Sequence, residues 1–263
     1  MHEGRVFIPL VTPLTDSEQV CERSVEQLVV RTAQSVSGYI PCLTSGEGWL
    51  LSEQQWLAMV HSTVVSARGK PVIVGIERPS TDEVLRYARE AEKLGAQGIM
   101  FTSPFGQNID QSTIMEHYRR VHDGCGTDIY IYNESNLSAN ETAFPTLMEI
   151  AGLSRVVGIK DSVEGGRSVL QIRALQSQGL AYFIGWEQLL AKGLPADGNV
   201  VSLSNLDATL CRLGNQTDAL VVQAEIARLC EVYSLRAPDW YRYVKQALKA
   251  WGVISTDKTV PLV

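Results

Sequence analysis

VVGIKDS, residues 156–162, is an apolar, β-branched run interrupted by one lysine, and it reads as a buried strand. A lysine in such a run is chemically expensive. An ammonium removed from water is disfavoured, so burial lowers its pKa and frees the lone pair that attacks a carbonyl. Two placements compete: Lys160 reaches solvent or pairs with Asp161, or it stays buried as a nucleophile.

Similar runs recur on both sides of it. RVFIPLV (5–11), GYIPCLT (38–44), PVIVGI (71–76), GIMFTS (98–103), DIYIYN (128–133), VVGIKD (156–161), AYFIG (181–185) and NVVSLS (199–204) predict eight strands. Between them lie stretches such as 24–35, 52–67, 80–95 and 112–122, whose apolar residues repeat every three or four positions, as on one face of a helix. Ser52 and Ser80 offer N-caps, and Gly95 offers a helix stop. Alternating strands and helices imply parallel pairing with crossover helices, and eight units predict a (β/α)8 TIM barrel. An open doubly wound sheet would want a glycine-rich phosphate turn after the first strand, and none is present. After Asn205 the pattern is helical, so 1–205 is expected to supply the barrel strands and 206–263 a short helical extension, as one structural unit.

Composition narrows the chemistry. The 263 residues, 45% hydrophobic, suffice for one large core, and a net charge of −6 leaves no basic footprint for nucleic acid. No apolar run is long enough to span a bilayer, and MHEGRVFIPLVTP lacks a secretory h-region, so a cytoplasmic protein is expected. Five scattered cysteines without a CxxC pair predict neither disulfides nor zinc, and four histidines without an HExxH spacing predict no metal site. No cofactor is called for.

In a barrel the chemistry sits where strands give way to loops at their C-terminal ends. Those positions are Thr44-Ser45-Gly46-Glu47, Gly75-Ile76-Glu77-Arg78, Ser103-Pro104-Phe105, Tyr132-Asn133-Glu134, Lys160-Asp161-Ser162, Gly185-Trp186-Glu187 and Ser202-Leu203-Ser204. FIPLVTPLT (7–15), LTSGEG (43–48), LSEQQW (51–56), YN (132–133), GIKDS (158–162) and VKQALKAWG (244–252) occur in an order that resembles the dihydrodipicolinate synthase and N-acetylneuraminate lyase family, the pyruvate-dependent class I aldolases.

The resemblance implies that Lys160 forms an imine with pyruvate or a related 2-oxo acid, that Tyr132 moves the proton, and that Ser45 is the hydroxyl that relays it. A phenol of ordinary pKa near 10 needs such a neighbour to act at neutral pH. Backbone N–H groups around Thr44, Ser45 and Gly46 are expected to hold the oxo acid's carboxylate. Glu134, Leu137, Ser138, Ser162, Gly185, Glu187, Ser202 and Arg78 complete the expected substrate-binding set. The reaction implied is carbon–carbon bond formation or cleavage with an aldehyde or other electrophile. Dehydration, decarboxylation or diketo-acid hydrolysis through the same imine is the alternative, and a non-catalytic 2-oxo-acid binder a further one. A homo-oligomer, dimer or tetramer, is expected.

The chain departs from the resemblance at several positions, Ala139 in place of the usual glycine and a shorter C-terminal helical region among them. Leu137 stands where the synthases carry an arginine for the aldehyde's carboxylate, which argues against true dihydrodipicolinate synthesis; Phe105-Gly106 replaces a tyrosine pair; and Glu77-Arg78 replaces glycines. Glu77, Glu134 and Glu187 are expected to form an acidic rim that favours a neutral or amine-bearing acceptor.

Overall fold

In the computed structural model, which describes residues 4–261, the eight runs form one parallel sheet. The strands are β1 (Arg5–Pro9), β2 (Gly38–Ile40), β3 (Ile73–Gly75), β4 (Gly98–Phe101), β5 (Asp128–Asn133), β6 (Val156–Asp161), β7 (Ala181–Ile184) and β8 (Gly198–Asn199). Their order, β2-β1-β8-β7-β6-β5-β4-β3, is a ring opened between β2 and β3, and a parallel bridge between Tyr39 and Val72 closes it. The predicted TIM barrel is the observed fold. The eighth strand is shorter than its sequence suggests: pairing ends at Asn199, and Ser204, the last residue of the predicted run, already begins a helix.

The helices are α1 (Glu22–Thr32), α2 (Glu53–Ser66), α3 (Thr81–Lys93), α4 (Gln111–Gly124), a single turn α5 (Ser135–Ser138), α6 (Phe144–Ala151), α7 (Val169–Ser177), α8 (Ser204–Gln216), α9 (Leu220–Val232) and α10 (Trp240–Ala250). Ser52 opens α2 with a capping box shared with Gln55. Gly95, at φ +86°, ends α3: its N–H bonds Glu92 O and that of Ala96 bonds Ala91 O, a Schellman closure that satisfies two orphan carbonyls. The helix α8 packs on β1 and β8 and completes the outer ring; its first turn from Ser204 kinks at Asp207, whose backbone is non-helical at φ −142° and whose Oδ1 accepts from the Leu210 N–H at 2.8 Å to cap the helix that follows.

Period-two alternation divides each strand between two cores. Val6, Ile8, Ile99, Phe101, Ile129, Ile131, Ile159, Tyr182 and Ile184 face the helices; Phe7, Met100, Tyr132 and Phe183 fill the barrel interior. Fully burying one such aromatic or aliphatic side chain stabilises the fold by about 1.5–3 kcal/mol. Tyr130, partly buried, packs against that interior cluster and on Phe183. Its ring occupies the space beside Gly158 and Gly98, where an added Cβ would stand 2.7 Å and 2.9 Å from ring carbons. All five cysteines are free thiols, four of them buried.

Candidate active site

The same alternation sends Lys160 into the barrel and its neighbour Asp161 out toward the helices. Asp161 is engaged there: Arg167 donates to Oδ2 and Asn133 Nδ2 donates to Oδ1 at 2.8 Å. Lys160, 5% exposed, therefore has neither solvent nor Asp161. The fully buried ion pairs among the described residues are Arg167–Asp161 and Lys245–Glu47, and neither includes it. Its Nζ lies 3.9 Å from the centre of the Tyr132 ring, which the β5–β6 register places directly beside it. Burial lowers the Lys160 pKa to about 8, opposed by the through-space charges of Glu134, Glu77 and Glu187. A substantial neutral fraction at physiological pH follows.

Tyr132 is 3% exposed, and burial holds its phenol well above the ordinary value. Its hydroxyl is 2.8 Å from Thr44 Oγ1, which in turn lies 2.6 Å from Glu77 Oε1. The hydroxyl that meets the Tyr132 phenol is thus that of Thr44 and not the expected Ser45, whose Oγ bonds Ser202 Oγ at 2.8 Å instead. The cause is a backbone turn. Cys42 is left-handed at φ +61° and residues 44–46 form a 3-10 turn, so alternation along β2 does not carry into the loop.

Glu77 is buried at 1% exposure, and burial raises its carboxyl to about 7 against the lowering effects of Thr44, Lys160 and Arg78. Its position follows from parity: Ile73 faces the interior, and residues 75 and 77 share its side. Sequence reasoning placed Glu77 on a rim and missed this inward placement, although the alternation of β3 carried through Ile76 would have found it.

Several expected contacts are overturned. Arg78 does not enter the site, because parity turns it outward; it donates to the carbonyls of Gly48, Glu77 and Leu51 and stacks 4.4 Å from the centre of the Tyr87 ring. The Ser138 hydroxyl is spent on Glu134 O and Asn140 O. Gly46 gives its N–H to Leu43 O, so among the described residues the donors the turn leaves free are the N–H groups of Thr44 and Ser45. Gly46 is needed for closeness, since a Cβ there would sit 2.7 Å from Leu10 O.

Lys160, Tyr132, Thr44 and Ser45 line one cleft of about 440 Å³, together with Glu134, Leu137, Ser162, Gly185, Glu187 and Ser202. The volume suits a small substrate. The acidic rim is absent as such. Glu134 and Glu187 are each 8% exposed, raised by burial, and bonded to the N–H groups of Asn136 and Leu203. The outer walls are instead Trp49, Trp186, Trp240, Pro238 and the exposed Arg236; of these, sequence reasoning reached only Trp186, at a strand end, because the others come from the loop before α2 and from the start of α10 and the turn before it. No group of three or more His, Cys, Asp or Glu among the described residues could hold a metal ion, and none of their helices is long and apolar enough to cross a membrane.

A model of the dihydrodipicolinate synthetase family matches residues 2–263. The 4-hydroxy-tetrahydrodipicolinate synthase of Cereibacter sphaeroides is 30% identical over 266 residues, spanning 97% of this chain and 90% of its own. An uncharacterized DapA-like lyase of Halobacterium salinarum is 29% identical over 237 residues, spanning 88% and 78%. The structure of dihydrodipicolinate synthase from the commensal bacterium Bacteroides thetaiotaomicron shares the fold, with a TM-score of 0.91 at 22% identity over 99% of this chain and 93% of that one.

Proposed function

The chain belongs to the dihydrodipicolinate synthetase family, lyases of the aldolase type that work through a lysine Schiff base with pyruvate, and we propose that Lys160 carries that imine. The observation that supports this most is a buried amine with no ion pair, set on the ring of a buried tyrosine. The neutral amine attacks the C2 carbonyl of a 2-oxo acid whose carboxylate is held by the N–H groups of Thr44 and Ser45. Tyr132 protonates the departing hydroxyl, and the iminium acidifies C3. Loss of a C3 proton gives an enamine that adds to the carbonyl carbon of an acceptor, and the new oxyanion takes its proton from Tyr132. Cleavage is the same path in reverse.

The acceptor reading rests on the upper walls. Leu137 gives no charge to a carboxylate, and Trp49 and Trp186 offer apolar faces, with Trp186 Nε1 fixed on Ser162 O at 2.6 Å. These favour an aldehyde with an apolar body over one whose carboxylate needs the arginine that Leu137 replaces; Arg236 and the burial of Glu77 remove the reason to expect an amine-bearing one. Incubation with pyruvate and borohydride, followed by intact-mass analysis, should add one reduced adduct per chain. No adduct, or one that persists in Lys160→Ala, sinks the imine. Paired release of pyruvate and an aldehyde separates carbon–carbon cleavage from dehydration or decarboxylation.

A further inference from the structure

We propose that Glu77 is the proton reservoir of the Tyr132–Thr44 relay: a positioning carboxyl that supplies and recovers, through the Thr44 hydroxyl, the proton Tyr132 exchanges with substrate. The proposal rests on the Lys160 imine reading and goes beyond it by giving the relay an inner end.

Three observations carry it. The first is continuity: Tyr132 OH, Thr44 Oγ1 and Glu77 Oε1 are linked by contacts of 2.8 Å and 2.6 Å. Thr44 has one hydroxyl proton, so the state of Glu77 sets the direction of the whole chain. As a carboxylate, Glu77 accepts from Thr44, which accepts from Tyr132. As an acid, Glu77 donates to Thr44, which donates to Tyr132. The second is isolation. Glu77 has no ion pair among the described residues, its Oε2 is buried and makes no hydrogen bond of normal geometry, the Trp49 N–H being the backbone donor that acts on the carboxyl, and the adjacent Arg78 is committed to backbone carbonyls and Tyr87. A carboxyl with so few donors holds a proton more easily than a fully solvated one. The third is that Tyr132, buried with its phenol raised, cannot stand as a phenolate, so each proton it gives must be replaced at once.

The step balances. As water leaves the carbinolamine, Tyr132 gives its proton to the departing hydroxyl, Thr44 passes its own to Tyr132, and Glu77 passes its own to Thr44. Glu77 ends as a carboxylate facing the new iminium. The C3 proton then travels the opposite way and restores the acid. The groups facing Glu77 are Lys160 from β6, Tyr132 from β5, Thr44 and the Cys42 thiol from the loop after β2, and Arg78 beside it; burial outweighs its neighbours and leaves its carboxyl at about 7.

The test is the rate of pyruvate adduct formation, quenched with borohydride, as a function of pH. In the wild type the free amine of Lys160 is gained through about 8 while the Glu77 proton is lost through about 7, giving a bell. Glu77→Gln keeps an acceptor for Thr44 but has no proton to give. It should form the same final adduct on Lys160 about 10²-fold more slowly, with the falling alkaline limb gone, and Glu77→Asp should restore the limb. Thr44→Val should behave like Glu77→Gln, and the double variant should be no slower than the slower single one. A Glu77→Gln rate within about twofold of wild type, with the falling limb intact, overturns the reservoir. Should Glu77→Gln fail to fold, an intact falling limb in Thr44→Val overturns it equally. Absence of any wild-type adduct is the separate failure of the imine itself.

Discussion

Lys160 and Lys245 are both buried, at 5% and 0% exposure, and burial lowers both pKa values; they differ in what meets the nitrogen. Lys245, on α10, donates to the Glu47 carboxylate and to Lys258 O at 2.9 Å, while the other Glu47 oxygen accepts from Val260 N at 2.5 Å. Lys160 meets an aromatic face and carboxyls that act only through space. Burial is common to both, so the presence or absence of a partner at the nitrogen is what separates them. The two lysines are also served by one loop, with Thr44 aimed at the barrel and Glu47, three residues on, held by the C-terminal segment.

The largest effect should come from Lys160→Ala, which is expected to abolish turnover and the borohydride adduct together. Peptide mapping should place the wild-type adduct on Lys160 and never on Lys245; an adduct on Lys245 would break the comparison. Next is stability. Lys245→Met strands the buried Glu47 and should cost about 3–5 kcal/mol in denaturant unfolding, with Glu47→Gln added in the same chain recovering much of it. Lys160→Met removes an amine that has no partner to strand, so its unfolding free energy should hold or rise, and equal losses in the two lysine variants would show that pairing is not the distinction.

A smaller effect is titration. The Lys160 value of about 8 lies below the ordinary 10.5, so its neutral fraction rises as pH climbs through about 8. Labelling by a small acylating reagent should follow that curve at Lys160 and miss Lys245 until the protein unfolds. The smallest is Ser45→Ala, which removes a hydroxyl bonded to Ser202 worth about 1 kcal/mol and should raise KM several-fold with little change in kcat. A kcat loss as large as that of Thr44→Val would return the relay to Ser45.

Strand number, parallel order and the inward placement of Lys160 and Tyr132 were legible because hydrophobic alternation fixes parity within a strand. Parity also holds the answer for Glu77 and Arg78, one turned in and one out, which a charge-based reading of the loop missed. The choice between Thr44 and Ser45 was not legible, since the left-handed Cys42 resets the alternation just before them. The outer wall was hidden for another reason: Trp49, Trp186 and Trp240 are nearly two hundred positions apart at the extremes, and only ring closure brings them to one cleft.

Phe7, Met100 and Phe183 fill the barrel interior, with the partly buried Tyr130 packed on Phe183, so the barrel is a tube filled from below with one open end. Such a tube imposes an order of traffic. A 2-oxo acid seated on Lys160 has to arrive before its acceptor and leave after it, because nothing can pass beneath the amine, and an acceptor lodged first between the tryptophans would block the line. With the imine on Lys160, the filled interior beneath it predicts a queue at the mouth: ordered addition, and inhibition by excess acceptor.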